Sequence, residues 1–353
     1  MINEPWFWRE DTIAARVVST SLAPFGAAYN LAQHAKRRIT TPLETRAFVV
    51  CVGNASLGGV GKTPFALRLR ERLAGAGAKT AFLSRGFGGS LEGPVIVNPK
   101  THTVDDVGDE ALLLADQSSC IVAKDKAAGA RKADELVVDG EPLDVLIMDD
   151  GHQNPSVKKD LTFLLLRIDQ PYTNDFVFPA GPWREPLQTA AARADCVVGV
   201  AQTQKHALAC KHQLPIAIDH CAWLSPERCG LQGRMVAFAG IGKPTQFFET
   251  LDRQGANLVE TYAFADHHPY TEAERSRLRL AAKRANAVLV TTAKDAVRWP
   301  EEEREALTVF RIRMEISDED ALRDRALAAI QQKLGLKQSA NPTPPTYQAA
   351  PRD

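Results

Sequence analysis

FVVCVGNASLGGVGKT, residues 48–63, is the stretch on which the fold turns. Phe48 to Val52 is an apolar, β-branched run that predicts a buried strand. A glycine-rich loop follows, and Leu67, Leu69 and Leu73 then give a helical pattern. A polyphosphate needs inward-pointing backbone N–H groups on a loop without obstructing Cβ atoms, a helix N-terminus and a positive point charge. Gly58, Gly59 and Gly61 supply such a loop within Ser56, Leu57, Gly58, Gly59, Val60 and Gly61; Lys62 supplies the charge, and Thr63 a hydroxyl for magnesium. The usual pattern is G-x-x-x-x-G-K-[ST], with Ser56 here in place of its first glycine. The strand before the loop and the helix after it carry the reading of a nucleotide-binding P-loop over that of a structural glycine turn.

Outward from this loop the chain alternates short apolar runs with helical patterns, which predicts an α/β fold of mostly parallel sheets with helices on both faces. Strands are expected at 80–84, 120–123, 144–148, 161–168 and 196–200, with a helix over 125–138. A second alternation runs through 235–239, 257–262, 287–291 and 307–313, with helices from Pro244, Thr271 and Asp318; Thr271 and Glu274 form a capping box. The expected organisation is an N-terminal helix over 1–38, a P-loop lobe over 39–210, a linker over 211–232, a second α/β lobe over 233–336 and a disordered tail over 337–353, rich in Pro, Thr, Gln and Ala.

The 43 basic and 43 acidic residues cancel, so no global field attracts nucleic acid, and no nucleic-acid partner is expected. Six cysteines at irregular spacings read as reduced thiols in a cytosolic protein, and Cys210, His212, His220 and Cys221 lack a metal-ligand spacing. Glu4, Glu10 and Asp11 stand where a secretory leader would be basic, so none is expected. From Val17 to Ala35 there is no charged residue; Trp6, Phe7 and Trp8 precede this run and Lys36, Arg37 and Arg38 close it. It is too polar for a transmembrane span. Aromatic residues at one end and basic residues at the other fit a helix lying in a membrane interface, with packing on its own domain as the alternative.

LDVLIMDDG, residues 143–151, is the second chemical signal. A strand ending in two aspartates places a carboxylate at the sheet's ligand-binding edge, where Asp149 or Asp150 could hold magnesium. Further polar blocks follow strands: SRGFGG (84–89), GDEALLLA (108–115), AGPWREPL (180–187), ADHHPYT (265–271) and TTAKDAVR (291–298).

These blocks, in this order, resemble the tetraacyldisaccharide 4′-kinase family of the lipid A pathway in Gram-negative bacteria. The resemblance runs from the N-terminal helix to about residue 300. It implies two α/β/α lobes, an N-terminal helix resting on the cytoplasmic face of the inner membrane, ATP and Mg²⁺ as cofactors, and a membrane-embedded tetraacyldisaccharide 1-phosphate as acceptor, with no obligate protein partner. By position, Lys62 and Thr63 would serve phosphate and magnesium, Asp109 and His267 would form the pair that receives the acceptor's proton, and Glu185 would be a polar residue of the cleft. Asp109 falls in the expected first lobe and His267 in the second, so closure would assemble them. Asn154 and Ala293 depart from the family's usual His and Glu. Arg85, Arg184 and Lys294 are open candidates for steadying charge.

The rival reading is a membrane-associated P-loop ATPase switch with a deviant K-G-G-x-G-K-[ST] loop. LGGVGKT matches it except that Leu57 stands where its lysine belongs, and that lysine reaches a partner's nucleotide. A non-catalytic scaffold would not need loop, carboxylates and polar cleft together.

Overall fold

The computed structural model describes residues 5–169, 174–227 and 231–335; Cys229 and the expected tail from 337 lie outside them. The described residues divide into two compact units, a larger one of 5–83, 125–169, 174–223 and 315–335 and a smaller one built from 84–124, 224–227 and 231–314. Segment 84–124, which alternation alone groups with the P-loop lobe, therefore clusters with the later part of the chain. The reason is non-local pairing, because its helix Asp109–Ala115 finds side-chain partners at His267, Lys294 and Arg298.

In the larger unit, six strands run parallel in the order His220–Pro226, Cys196–Ala201, Leu161–Arg167, Phe48–Asn54, Val145–Asp149 and Thr80–Ser84. The central strands are buried throughout, which is why they read as continuous apolar runs and not as alternating ones. The helix Lys62–Gly75 covers this sheet through Phe65, whose ring lies 5.4 Å from that of Phe163. Buried Arg68 on the same helix donates to Glu319 on the closing helix Glu319–Leu334, with Nη2 2.6 Å from Oε2. His220–Pro226, expected to be linker, is a strand here. The expected helix over 125–138 is shorter, Lys126–Asp134.

The N-terminal helix, Ile13–Ile39, belongs to the larger unit and starts where Thr12 Oγ1 accepts from Ala15 N at 3.1 Å. Ala15, Ser19 and Gly26 are buried; a Cβ on Gly26 would lie 2.6 Å from the carbonyl oxygen of Val177. Ile13, Val17, Phe25, Leu31 and Ile39 are exposed. At 3.6 residues per turn these five fall within about one third of the helix circumference, opposite the buried side. No helix among the described residues is long and apolar enough to cross a membrane.

The smaller unit carries a parallel sheet in the order Asn257–Ala263, Arg234–Ala239, Val288–Thr292 and Leu307–Phe310. Phe238 stacks on Trp299 at 5.2 Å on one side of it, and Phe247, Leu251 and Phe310 fill the other. The capping box of Thr271 and Glu274 is present as expected at the head of helix Glu272–Ala285. The run expected as one strand over 307–313 breaks at Arg311 into Leu307–Phe310 and Ile312–Ile316.

Candidate active site

Strand Phe48–Asn54 ends at the phosphate loop, and helix Lys62–Gly75 begins directly after it. Gly61 caps that helix with φ +88°, a left-handed conformation that glycine adopts without steric cost. A Cβ at Gly59 would meet nothing within 4 Å, so the loop leaves open space where backbone N–H groups could meet an anion. Ser56 and Val60 are buried, and Leu57 N donates to Pro182 O at 2.7 Å. Arg184 N donates to Ala55 O at 2.7 Å, so the GPWREP segment braces the loop from its N-terminal side. Lys62 Nζ lies 3.2 Å from Asn54 Oδ1 and 3.6 Å from Asp150 Oδ1, and Thr63 is buried in the first turn.

The two aspartates separate. Asp149 is the buried last residue of its strand, while Asp150 adopts φ +52° and turns its carboxylate to Arg184, with Nη1 2.9 Å from Oδ1 and 3.1 Å from Oδ2. Burial would raise the Asp150 pKa, but Lys62 and Arg184 outweigh it and hold the carboxyl below its ordinary value. Arg184 is thereby placed, whereas Arg85 is exposed and Lys294 pairs with Glu110 at 2.8 Å.

Glu185 is almost fully enclosed, at 1 % exposure, and its carboxylate is saturated. Arg193 donates to it twice, at 2.6 and 2.8 Å, Arg37 once at 2.9 Å and Gln153 once at 3.0 Å. Burial opposes ionisation, yet the Arg193 guanidinium brings the pKa down to about 2. His152, 3.9 Å away, is buried enough to be pushed down to about 4 and is neutral near pH 7.

Within the smaller unit, Asp109 opens helix Asp109–Ala115 behind Gly108, whose φ of +84° and 2.2 Å approach of a Cβ to Phe87 O exclude a side chain. Asp109 Oδ1 accepts from Glu110 N at 2.8 Å, but the N-cap position belongs to Gly108, so Asp109 is the first residue of the helix and not its cap. Its other oxygen meets His267 Nδ1 at 2.9 Å and the Arg298 guanidinium. The pair expected on two lobes thus lies in one unit and is bonded without any closure. Arg298, missed by motif reading although it ends the TTAKDAVR block, is itself held by Gly240 O at 2.7 Å and Asp295 Oδ1 at 2.9 Å. Burial would raise the Asp109 pKa, but His267, Lys294 and Arg298 together hold it well below the usual carboxylate range. The hydrogen bond to Asp109 raises the pKa of His267 above the ordinary imidazole value. His267 has φ +58°, so it and Asp150 are among the few non-glycine residues in the left-handed region, where strain concentrates at functional sites.

Asn154, where the family commonly has His, accepts from Ser156 N and Oγ at 2.8 and 2.7 Å in a local turn. Ala293 begins the short helix Ala293–Ala296.

Comparison with known proteins shows the family. A sequence model of the family described as tetraacyldisaccharide-1-P 4′-kinase matches residues 18–331. The tetraacyldisaccharide 4′-kinase of Rhodospirillum rubrum is 40% identical over 338 residues, covering 92% of this chain and 98% of its own. That of Methylorubrum populi is 42% identical over 335 residues, covering 93% and 99%. The fold is similar to that of LpxK from Aquifex aeolicus, crystallised in complex with ATP, with TM-score 0.71 and 24% identity over 88% of this chain and 99% of that one. A P-loop braced by a GPWREP segment, a paired aspartate and histidine, and matches spanning nearly the whole length lead to one conclusion: the chain belongs to the tetraacyldisaccharide-1-P 4′-kinase family.

Proposed function

We propose that this chain transfers the γ-phosphoryl group of ATP to the 4′-hydroxyl of a tetraacyldisaccharide 1-phosphate, forming the 4′-phosphorylated lipid A precursor. The observation that carries the reading is the family's match over residues 18–331, in a chain that has Lys62 at the head of the phosphate-loop helix of its larger unit and a bonded Asp109–His267 pair in its smaller one. Lys62 and the loop residues Ser56 to Gly61 would hold the β- and γ-phosphates. The donors Thr63, Asp149 and Asp150 are all oxygens, the set a hard cation such as Mg²⁺ prefers. Magnesium, when bound, would neutralise charge shared between the two phosphates. The acceptor oxygen forms a bond to the γ-phosphorus as the bond to the β-bridging oxygen breaks, and Asp109 with His267 receives the hydroxyl proton. Arg298 keeps the Asp109 carboxylate in place.

The ATPase-switch reading lacks its lysine at Leu57, whose backbone instead bonds Pro182. Radiolabelled ATP tests the choice: label should pass into an organic-extractable product only when the tetraacyldisaccharide 1-phosphate is present. Acceptor-independent hydrolysis with no labelled lipid would overturn the kinase reading.

Access to such an acceptor would come from the exposed apolar stripe of helix Ile13–Ile39, laid on the cytoplasmic face of the inner membrane. Arg37 points inward to Glu185, so of the three closing basic residues only the exposed Lys36 and Arg38 remain for anionic lipid. Each contributes about 1 kcal/mol near a charged surface. Vesicle sedimentation should therefore weaken in high salt and in Lys36→Ala/Arg38→Ala, and should collapse in Phe25→Asp/Leu31→Asp. Binding unaffected by either pair of changes would remove the helix from membrane contact.

A further inference from the structure

Glu185 has no capacity left for a substrate, since both its oxygens are taken by Arg193, Arg37 and Gln153. A buried ion cluster costs desolvation that an apolar packing would avoid, and such clusters are best explained where they fix a register. The hydrogen bonds leading away from it show which register. Gln153 Nε2 donates both to Glu185 Oε1 at 3.0 Å and to the backbone oxygen of Asn54 at 2.8 Å. Asn54 in turn donates from Nδ2 to Ser56 O at 2.6 Å and accepts from Lys62 Nζ at 3.2 Å through Oδ1. An unbroken line of polar contacts thus joins Arg37, in the last turn of the N-terminal helix, to the lysine and first residue of the phosphate loop, all within the larger unit.

We propose that Arg37 and Glu185 are positioning residues, which act through Gln153 and Asn54 to couple the seating of the N-terminal helix to nucleotide binding at the phosphate loop. Arg37 is the informative position, because Glu185 keeps Arg193 and Gln153 when it is removed. Gln153 is the second, because among the described residues it alone donates to both Glu185 and the Asn54 carbonyl. Couplings between distinct sites commonly change affinity by about fivefold or more. Coupling is also reciprocal, so nucleotide should tighten membrane association by the factor by which seating the helix tightens nucleotide.

The proposal rests on the kinase reading only for the acceptor assay; titration with a fluorescent ATP analogue needs no acceptor. In the full chain, Arg37→Ala should weaken the analogue and raise KM for ATP about fivefold, with kcat for a detergent-dispersed acceptor nearly unchanged. Arg37→Lys should recover part of the loss. Gln153→Ala should match Arg37→Ala, and the double variant should be no weaker than the poorer single one. ATP analogue should strengthen wild-type vesicle binding, and this gain should vanish in Arg37→Ala. Unchanged analogue affinity in both folded single variants, or losses that multiply in the double, would overturn the proposal, whereas failure of wild-type transfer would strike the kinase reading alone.

Discussion

Lys62→Ala is expected to lower phosphoryl transfer by about 10²- to 10³-fold or more, the range for losing one preorganised group aimed at developing charge. Lys62 Nζ is the cation at the head of the loop helix, held by Asn54 Oδ1 at 3.2 Å and by Asp150 at 3.6 Å. Its removal leaves no carboxylate stranded, because Asp150 keeps Arg184 at 2.9 Å. Thermal unfolding should therefore change little while turnover collapses. Single-turnover transfer from radiolabelled ATP, read beside a melting curve, checks both halves. A folded Lys62→Ala protein with near-normal turnover would take the phosphate loop out of the mechanism.

The second large effect is expected at the dyad. A sugar hydroxyl is a weak nucleophile at neutral pH, and a positioned proton acceptor contributes about 10²- to 10⁴-fold. Asp109→Ala and His267→Ala should each depress kcat by that order while leaving nucleotide affinity close to normal. Neither change strands a buried charge: Arg298 retains Asp295 and Gly240 O, and Asp109 retains Arg298. Because the two side chains share one hydrogen bond of 2.9 Å, the double variant should be scarcely worse than the poorer single one. The pH profile gives an independent reading. Asp109 raises the pKa of His267, so His267 stays protonated to higher pH than a free imidazole. If the neutral ring is the working form, the rate is lost as pH falls through a midpoint above about 6.5, and Asp109→Asn should move that midpoint down. Defects that multiply in the double variant would show two independent groups.

The residues at strand ends were legible because a buried parallel strand announces itself as an apolar run, and the polar residues directly after it are the ones its edge presents. Asp149 and Asp150 are of this kind, and Lys62 and Thr63 follow their strand after one glycine-rich loop; Asp109 instead follows the short helix Val104–Val107 and was legible only through the family resemblance. Arg298 was legible only as the last letter of a block, since nothing local says that its guanidinium reaches Asp109, 189 positions away. Arg193 lies just past helix Leu187–Ala191 without chemical signature, Arg37 reads from sequence as one of three basic residues facing lipid, and their shared interest in Glu185 exists only in three dimensions. The strand His220–Pro226 carries a histidine, a serine and a proline in seven residues, too mixed a pattern to stand out from linker. The division into units was illegible for a related reason. Both sides of Ser84 and Lys124 show the same α/β alternation, and only non-local contacts decide with which unit each segment clusters.

That interleaving sets an order of completion during synthesis. The smaller unit has all its residues once the chain has been made to Met314, but the larger unit, which begins first, still awaits the segment from Glu315. Helix Glu319–Leu334 is the piece that delivers Glu319 to buried Arg68 on the phosphate-loop helix. Until it emerges, that arginine keeps only the partner on its own helix, Glu71. The nucleotide-binding unit is thus the last to be sealed, and a chain interrupted near residue 314 would carry an intact dyad but a phosphate loop whose supporting helix has lost its brace.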